Sequence, residues 1–240
     1  WPFEATRTET VNDADCYLAN FWRALQADPE AVAKFSDWPV NEADLHARHL
    51  WLVNVAKETV AKLRTDPDFY DAKIAGWWVY GICQWIGSGW CHHPEWEQLP
   101  HLGDAGRGVH RPSQKLPHLG DAGRGDLYEY FDLLANRLRR VRVCCGDWSR
   151  VCGPTPTVKQ GLTGVLLDPP YADEADRKSD LYAVDSLTVA HAVREWAIEQ
   201  GSDARMRIAL CGHEGEHEMP AEWECVHWKA RGGDGSQGDG

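Results

Sequence analysis

The order of apolar and polar positions predicts short strands that alternate with amphipathic helices. Apolar residues that recur every three to four positions indicate helices, and short apolar or alternating runs indicate strands. Helices are predicted from Ala14, from Asp28, from Asn41 to about Arg64, at Asp71–Ile86, at Asp126–Arg140 and from Ser186 to Gln200. Strands are predicted at 8–13, 141–145, 165–167, 206–211 and 223–228. This alternation is typical of an α/β fold with a parallel sheet.

The apolar run Val165–Leu167 is followed directly by Asp168-Pro-Pro-Tyr171. Three consecutive apolar residues after Gly164 predict a strand that is buried on both faces. The two prolines end it, because neither can donate a ladder hydrogen bond. Ligands of open α/β sheets bind beyond the carboxyl ends of the strands, so Asp168 and Tyr171 are candidate site residues. A strand followed by a proline-rich turn without chemical function is the alternative.

Acidic residues also follow two other predicted strands. Asp13 ends the first strand, and Asp147 follows the strand 141–145 after a single glycine, with Trp148 next to it. An acid at such a position can accept hydrogen bonds from a ribose or from an adenine amine, and the tryptophan can cover the ring. Two alternatives stay open. In the first, Asn12 or Asp13 only caps the next helix. In the second, the pair Gly146-Asp147 only forms a turn.

The composition excludes some classes of protein. No run approaches the ~18 apolar residues that a membrane span requires, and the first residues lack a signal-peptide pattern. We therefore expect a cytoplasmic protein without a membrane partner. The formal net charge of -12 argues against a general affinity for polyanions. The eight irregularly spaced cysteines are expected to be reduced thiols rather than disulfides.

A direct repeat interrupts the alternation, because Leu99–Gly108 recurs as Leu116–Gly125. Two copies are too few for a solenoid, so we expect a Gly-rich loop. Such a loop can approach phosphates closely. Its basic residues are candidate phosphate contacts: Arg107, Arg111, Lys115 and Arg124. A duplicated linker without a partner is the alternative.

The segment His213-Glu-Gly-Glu-His217 matches the His-Glu-x-x-His signature of zinc proteases. That signature works on a helix, which brings both histidines onto one face while the glutamate activates water. Gly212, Gly215 and Pro220 make a helix improbable here. A zinc-binding protein or a metalloprotease that uses His213, Glu214 and His217 is a minor alternative.

The segment Asp168-Pro-Pro-Tyr171 after an apolar strand resembles motif IV of the Dam-like, phage-type DNA adenine methyltransferases. Val11-Asn-Asp13 with Asn20–Arg23 is similar to motif II of that family, and Gly146-Asp-Trp148 to motif III. The resemblance implies a Rossmann-like α/β fold with an inserted helical lobe, in a protein of a bacterium or a phage-infected host cell. It implies transfer of a methyl group from S-adenosylmethionine to N6 of an adenine that is flipped out of double-stranded DNA. Glutamine-directed and many RNA-directed relatives carry Asn instead of the aspartate, which favours DNA adenine.

The resemblance also assigns roles to individual residues. The implied catalytic residues are Asp168, Pro169, Pro170 and Tyr171. Asp168 and the Pro169 carbonyl would each accept one hydrogen of the target amine, and Tyr171 would stack on the flipped base. The implied cofactor-binding residues are Asp13, Asp147, Trp148 and Asp168, the basic residues of the repeat would contact DNA, and no metal is implied.

The family has a strand and a Phe-x-Gly-x-Gly turn ahead of motif II that this chain does not contain, so we expect a sheet that is incomplete at both ends. We expect the methyltransferase core in 1–27 and 126–231, the target-recognition lobe in 28–98, the repeat loop in 99–125 and a flexible tail in 232–240. A helical cap that only covers the sheet is the alternative for the lobe. A truncated, non-catalytic remnant that binds nucleic acid is the alternative for the whole chain. The oligomeric state is left open.

Overall fold

A computed structural model describes residues 8–39, 41–85, 90–91, 124–170 and 188–227. These residues form helices and two small parallel sheets, so the fold is of mixed α/β type, as the alternating pattern predicted. The chain divides into two compact units, Trp1–Val151 and Cys152–Gly240. None of the described helices has the length and apolar character that a membrane crossing requires. A continuous Rossmann-like sheet stays a prediction.

The first unit contains most of the helices. Its elements are β1 (Glu9–Asp13), α1 (Cys16–Ala27), α2 (Pro29–Ser36), α3 (Glu42–Trp51), α4 (Lys57–Ala61), α5 (Ala72–Gln84), α6 (Arg124–Leu138) and β2 (Val141–Cys145). A π-helical stretch, Leu52–Ala56, joins α3 to α4, and a 3₁₀ turn, Lys62–Arg64, follows α4. The short helix α7 (Ser149–Cys152) comes after β2. The predicted helices and strands of this unit are confirmed within a few residues. The predicted helix from Asn41 to about Arg64 is α-helical to Trp51, π-helical from Leu52 to Ala56, and α-helical and then 3₁₀ after that.

Short polar side chains start four of these helices. Each accepts a hydrogen bond from a backbone N–H of the first turn, which no helical carbonyl can reach. The residues that cap α1, α2, α3 and α5 in this way are Asp15, Asp28, Asn41 and Asp71. The starts of the helices are therefore set by local sequence.

Helices α1, α2, α5 and α6 of the first unit share one packed interior. Leu25 of α1, Val32 of α2, Ala75 of α5 and Phe131 of α6 are buried in the same cluster. Helix α2 crosses α5 at Gly76, where an added Cβ would lie 2.4 Å from Cβ of Phe35. Helix α2 therefore packs directly on α1 and α6, and α5 packs on α1 and α2. The role of the segment 28–98 as a target-recognition lobe stays a prediction.

Aromatic rings surround the guanidinium group of Arg48 in α3. Its guanidinium carbon lies 4.5 Å from the ring centre of Tyr80 and 5.2 and 5.5 Å from those of Trp38 and Trp77. Asp44, one turn earlier, forms an ion pair with it at 4.0 Å. A buried charge is costly unless other groups compensate it. The ring faces and the carboxylate supply that compensation.

The second unit contains β3 (Thr163–Leu167), α8 (Val189–Gly201) and β4 (Met206–Leu210), preceded by a 3₁₀ turn at Val158–Gln160. The strands pair in parallel, with Leu167 opposite Leu210. The prediction of strand β3 is confirmed, but the prediction that it is buried on both faces is wrong. Leu167 is 7% exposed and Leu166 is 71% exposed, because neighbouring strand residues point to opposite faces and the described elements of this unit cover one face.

Two predictions for the second unit are wrong: the start of its helix and the existence of a strand near 223–228. Helix α8 has Thr188 rather than Ser186 at its N-cap, because its first turn closes with the bond from Ala192 N to Thr188 O. Ser186 lies outside the described residues. The segment Trp223–His227 forms no strand, because alternation gives a strand only where a partner strand accepts the hydrogen bonds, and a turn closed by Trp223 N and Pro220 O precedes it.

Candidate functional site

The carboxyl ends of β1 and β2 lie side by side in the first unit. Gly146 N donates to Asp13 O at 2.8 Å, and Asn12 Nδ2 donates to Gly146 O at 3.0 Å. These bonds continue the pairing past Cys145, and Gly146 turns the chain with a φ of +137°, which side chains rarely adopt. Asp13 is therefore the last residue of β1, and Asp147 comes just after the end of the neighbouring parallel strand β2, where ligands of α/β sheets bind.

Asp13 is not the cap of α1, so this alternative is wrong. Asp15 has that position, with Oδ1 accepting from Tyr17 N at 2.7 Å. Oδ1 of Asp13 instead accepts from Asp15 N at 2.7 Å, and the Asn12 side chain is directed to Gly146. The half-buried Asp13 carboxylate thus fixes the turn between β1 and α1 through one of its two oxygens.

Asp147 is exposed and begins the turn into α7. Its Oδ1 accepts from Ser149 N at 2.9 Å and from Ser149 Oγ. These two hydrogen bonds lower the pKa of Asp147 below its usual value, so the group is ionised at neutral pH. The Gly-Asp turn that the sequence offered as an alternative is present, and it holds a charged acceptor at the end of β2. Trp148, half-buried, comes next.

Among the acids near the carboxyl ends of β1 and β2, Asp15 has the pKa that is shifted most. Burial raises its pKa to about 6, and the nearby Asp13 charge adds to the shift, while the bond from Tyr17 N opposes it. A raised pKa means that the folded state holds the proton more tightly than the unfolded state does. Between about pH 4 and pH 6, folding stability therefore falls as pH rises.

We expect Asp15→Asn to increase the free energy of unfolding by about 1 kcal/mol near pH 8. Asn caps helices as well as Asp does, and it removes a charge that burial disfavours. Urea unfolding at about pH 8 and about pH 4 measures the gain, which should be lost at the lower pH because Asp15 is then protonated. A gain of equal size at both pH values would contradict the assignment.

A cleft of about 430 Å³ opens beside β2 in the first unit. It is lined by Ala19, Arg23, Leu63, Arg64, Val143, Cys144, Cys145 and Arg150. Two of its arginines bind backbone carbonyls: Arg23 those of Leu63, Asp66 and Phe69, and Arg150 that of Cys145. Since three guanidinium groups and no carboxylate line the cleft, it suits an anionic group. The sequence did not predict it, because its residues come from three segments that are far apart along the chain, 19–23, 63–64 and 143–150.

Asp168 lies at the end of β3 in the second unit. The carboxylate is exposed, whereas Pro169 is buried and Pro170 half-buried. The preceding residue is held by the bond from Cys211 N to Leu167 O at 2.9 Å. An acceptor thus follows a strand end whose backbone is hydrogen-bonded to the chain just after β4.

The segment 213–217 forms a turn rather than a helix, as its glycines predicted. Gly215 has a φ of +82°, and Glu216 Oε2 accepts from His213 N at 2.8 Å. His217 Nε2 lies 3.1 Å from Cys211 O. Among the described residues no three His, Cys, Asp or Glu side chains are grouped to hold a metal ion. The zinc-protease geometry, which needs a helix, is not formed here.

Some predicted site residues lie outside the described residues. These are Tyr171, Arg107, Arg111 and Lys115. Arg124 begins α6, but its side chain also lies outside them. The contacts proposed for these side chains therefore rest on the sequence.

Comparison of the chain with protein-family models, with curated protein sequences and with solved structures found no match. The resemblance to Dam-like DNA adenine methyltransferases therefore rests on the short motifs of the sequence.

Proposed function

We propose that this chain is an S-adenosylmethionine-dependent DNA adenine-N6 methyltransferase. The observation that carries the proposal is the position of Asp168-Pro169-Pro170 directly after β3, which pairs in parallel with β4. A buried proline beside an exposed carboxylate gives two hydrogen-bond acceptors on an anchored backbone. The order of the other motifs along the chain supports the same assignment.

The chemistry explains why two acceptors are needed. An exocyclic adenine amine is a poor nucleophile, because its lone pair is conjugated with the ring. Asp168 and the Pro169 carbonyl would each accept one amine hydrogen, so that the lone pair turns out of conjugation. The prolyl peptide suits this role because it has a restricted backbone and no N–H. Tyr171 would stack on the flipped base.

The residues at the ends of β1 and β2 fit the nucleoside half of the cofactor. One carboxylate oxygen of Asp13 accepts the hydrogen bond from Asp15 N in the turn between β1 and α1. The other oxygen takes no part in that bond and suits a ribose hydroxyl. Asp147 is an ionised acceptor for the adenine amine, and Trp148 is next to it for the ring. When bound, S-adenosylmethionine supplies a methyl group on a sulfonium. The arginine-lined cleft suits a carboxylate or phosphate and not the sulfonium itself.

We expect Asp13→Ala to weaken binding of S-adenosylmethionine by about 1–3 kcal/mol, the scale for losing a charge-assisted hydrogen bond. Asp147→Ala should weaken it as well. Calorimetric titration of each variant against the unaltered protein measures the change. Asp13→Asn is the matched control for structure, because its amide oxygen can still accept from Asp15 N while the charge is gone.

The titration distinguishes the proposed methyltransferase from a non-catalytic remnant that binds nucleic acid. If the unaltered protein does not bind S-adenosylmethionine, the methyltransferase proposal fails, and the non-catalytic nucleic-acid-binding remnant becomes the better description. If it binds and neither aspartate variant changes the affinity, Asp13 and Asp147 are not part of the cofactor site.

A further inference from the structure

Two cysteines that are 129 residues apart meet where β1, α1 and β2 join. Cys16 is the first residue of α1 and Cys145 is the last residue of β2. Their Sγ atoms lie 3.3 Å apart. The main chain sets this approach, because Cys145 is opposite Asp13 in the parallel register and α1 begins three residues later.

The surroundings make the two sulfurs unequal. A hydrogen bond from Cys145 lowers the pKa of Cys16 to about 6, and Arg64, whose Nη2 lies 3.8 Å from Cys16 Sγ, adds to the effect. Burial and the Asp15 carboxylate act in the opposite direction. The same hydrogen bond, with burial, raises the pKa of Cys145. These contacts therefore favour the thiolate at Cys16 and the protonated thiol at Cys145.

The pair is open to small molecules. Both side chains are half-buried rather than enclosed, and Cys145 and Arg64 form part of the wall of the arginine-lined cleft. A thiolate that is partly exposed beside a guanidinium is the environment in which cysteines react, whereas enclosed cysteines stay inert. A second thiol within contact distance provides the resolving group that a redox-active cysteine needs.

We propose that Cys16 and Cys145 are a reversible thiol–disulfide site that small hydroperoxides oxidise. The inference does not depend on the methyltransferase proposal. It concerns a modification site at the edge of β1 and β2, and oxidation joins the start of α1 covalently to the end of β2. The two sulfurs must approach from 3.3 Å to about 2.05 Å, a small movement of two side chains.

The oxidation has two steps. The Cys16 thiolate attacks one oxygen of hydrogen peroxide, the O–O bond breaks, and hydroxide leaves, so that Cys16 becomes a sulfenic acid. The Cys145 thiol then gives up its proton as its sulfur attacks the sulfenic sulfur, and the S–O bond breaks with release of water. In total two thiols lose two protons and two electrons, and one peroxide becomes two waters. A small thiol such as glutathione reduces the disulfide by exchange.

One equivalent of hydrogen peroxide added to dilute, fully reduced protein tests the proposal. We expect the intact mass to fall by two hydrogen atoms, and we expect proteolysis without reductant to give one peptide pair joined through Cys16 and Cys145. Glutathione should restore the original mass. In Cys145→Ser, Cys16 should stop at the sulfenic acid, which a 1,3-dione reagent traps.

The control is Cys144→Ser, because Cys144 neighbours Cys145 in β2 but its side chain points to the other face of the strand. This variant should form the same disulfide as the unaltered protein. A disulfide that uses Cys144, or a Cys16 that remains a thiol after peroxide treatment of the unaltered protein, would overturn the proposal. The second result needs no variant, so a variant that fails to fold does not affect it.

Arg64→Gln tests the electrostatic part of the site. The charge that favours the thiolate is removed, so the rate of peroxide consumption near pH 7 should fall by about two- to fivefold, while the disulfide formed stays the same. The other charged or titratable groups that act on Cys16 are Asp15 and Cys145, and both remain in this variant. An unchanged rate would remove Arg64 from the account of the reactive thiolate and overturn that part of the proposal.

Discussion

Asp168→Ala is expected to abolish methyl transfer, reducing the rate by at least about a hundredfold, and to leave the fold intact. The carboxylate is exposed at the end of β3, so its removal opens no cavity, whereas the chemistry loses one of two acceptors for the amine hydrogens. Transfer of labelled methyl groups to duplex DNA measures the rate. Circular dichroism and urea unfolding measure the fold.

Two comparison variants make this result specific. Asp168→Asn keeps the size of the side chain and should be nearly as damaging, because the neutral amide oxygen accepts more weakly than a carboxylate and the amide must place its two donor hydrogens elsewhere. Glu222→Ala removes another exposed acid of the same unit and should leave the rate unchanged. If Asp168→Ala methylates DNA at the rate of the unaltered protein, the interpretation of this motif is wrong.

Gly76→Ala is expected to lower the free energy of unfolding by about 3 kcal/mol, near the upper end of the usual cost of overpacking. The new Cβ would lie 2.4 Å from Cβ of Phe35 and 2.7 Å from the carbonyl oxygen of Val32. The second contact is with backbone, which cannot rotate away, so α2 and α5 must move apart. Thermal and urea unfolding measure the loss, and roughly 2–4 °C in Tm is expected per kcal/mol.

Gly153→Ala is the control for that prediction. A Cβ at Gly153 would meet no atom within 4 Å, and the change from Gly to Ala is the same. Its effect on unfolding should be small, because only the flexibility of the unfolded chain changes. Equal destabilisation by both variants would show that the close approach of α2 and α5 does not explain the cost at Gly76.

The elements that depend on local sequence could be predicted. Helices α5 and α6 and strands β2 and β4 lie where the spacing of apolar residues placed them, because 3.6-residue and two-residue periods are properties of neighbouring positions. The starts of α3 and α5 follow from Asn41 and Asp71, which have the side chains that cap helices. The same local logic predicted that residues 213–217 would not form a helix.

Features that depend on distant contacts could not be predicted. The exposure of Leu166 depends on which elements cover the faces of β3 and β4, and a run of three apolar residues does not contain that information. Thr188 rather than Ser186 is the N-cap of α8, and it makes no side-chain capping hydrogen bond, so a short polar residue does not locate this helix start. The strand-like segment 223–227 lacks a partner among the described strands.

Some residues of the candidate sites could be predicted from local sequence, and others could not. Asp13, Asp147 and Asp168 could be chosen as candidates because each lies at or just after the end of a predicted strand, and the strands are where the sequence placed them. The Cys16–Cys145 pair could not, because it depends on the parallel register of β1 with β2 across more than a hundred residues. Irregular cysteine spacing carries no signal for such a meeting.

The most direct test of the central claim is nucleoside analysis of DNA after reaction with this protein. Duplex DNA that lacks methylated adenine is incubated with the purified chain and S-adenosylmethionine carrying a deuterated methyl group, and the DNA is then digested for mass spectrometry. The proposed function predicts deuterated N6-methyldeoxyadenosine, which is absent when Asp168→Ala replaces the unaltered protein. A label found on cytosine, or DNA that stays unlabelled although the protein binds the cofactor, would contradict it.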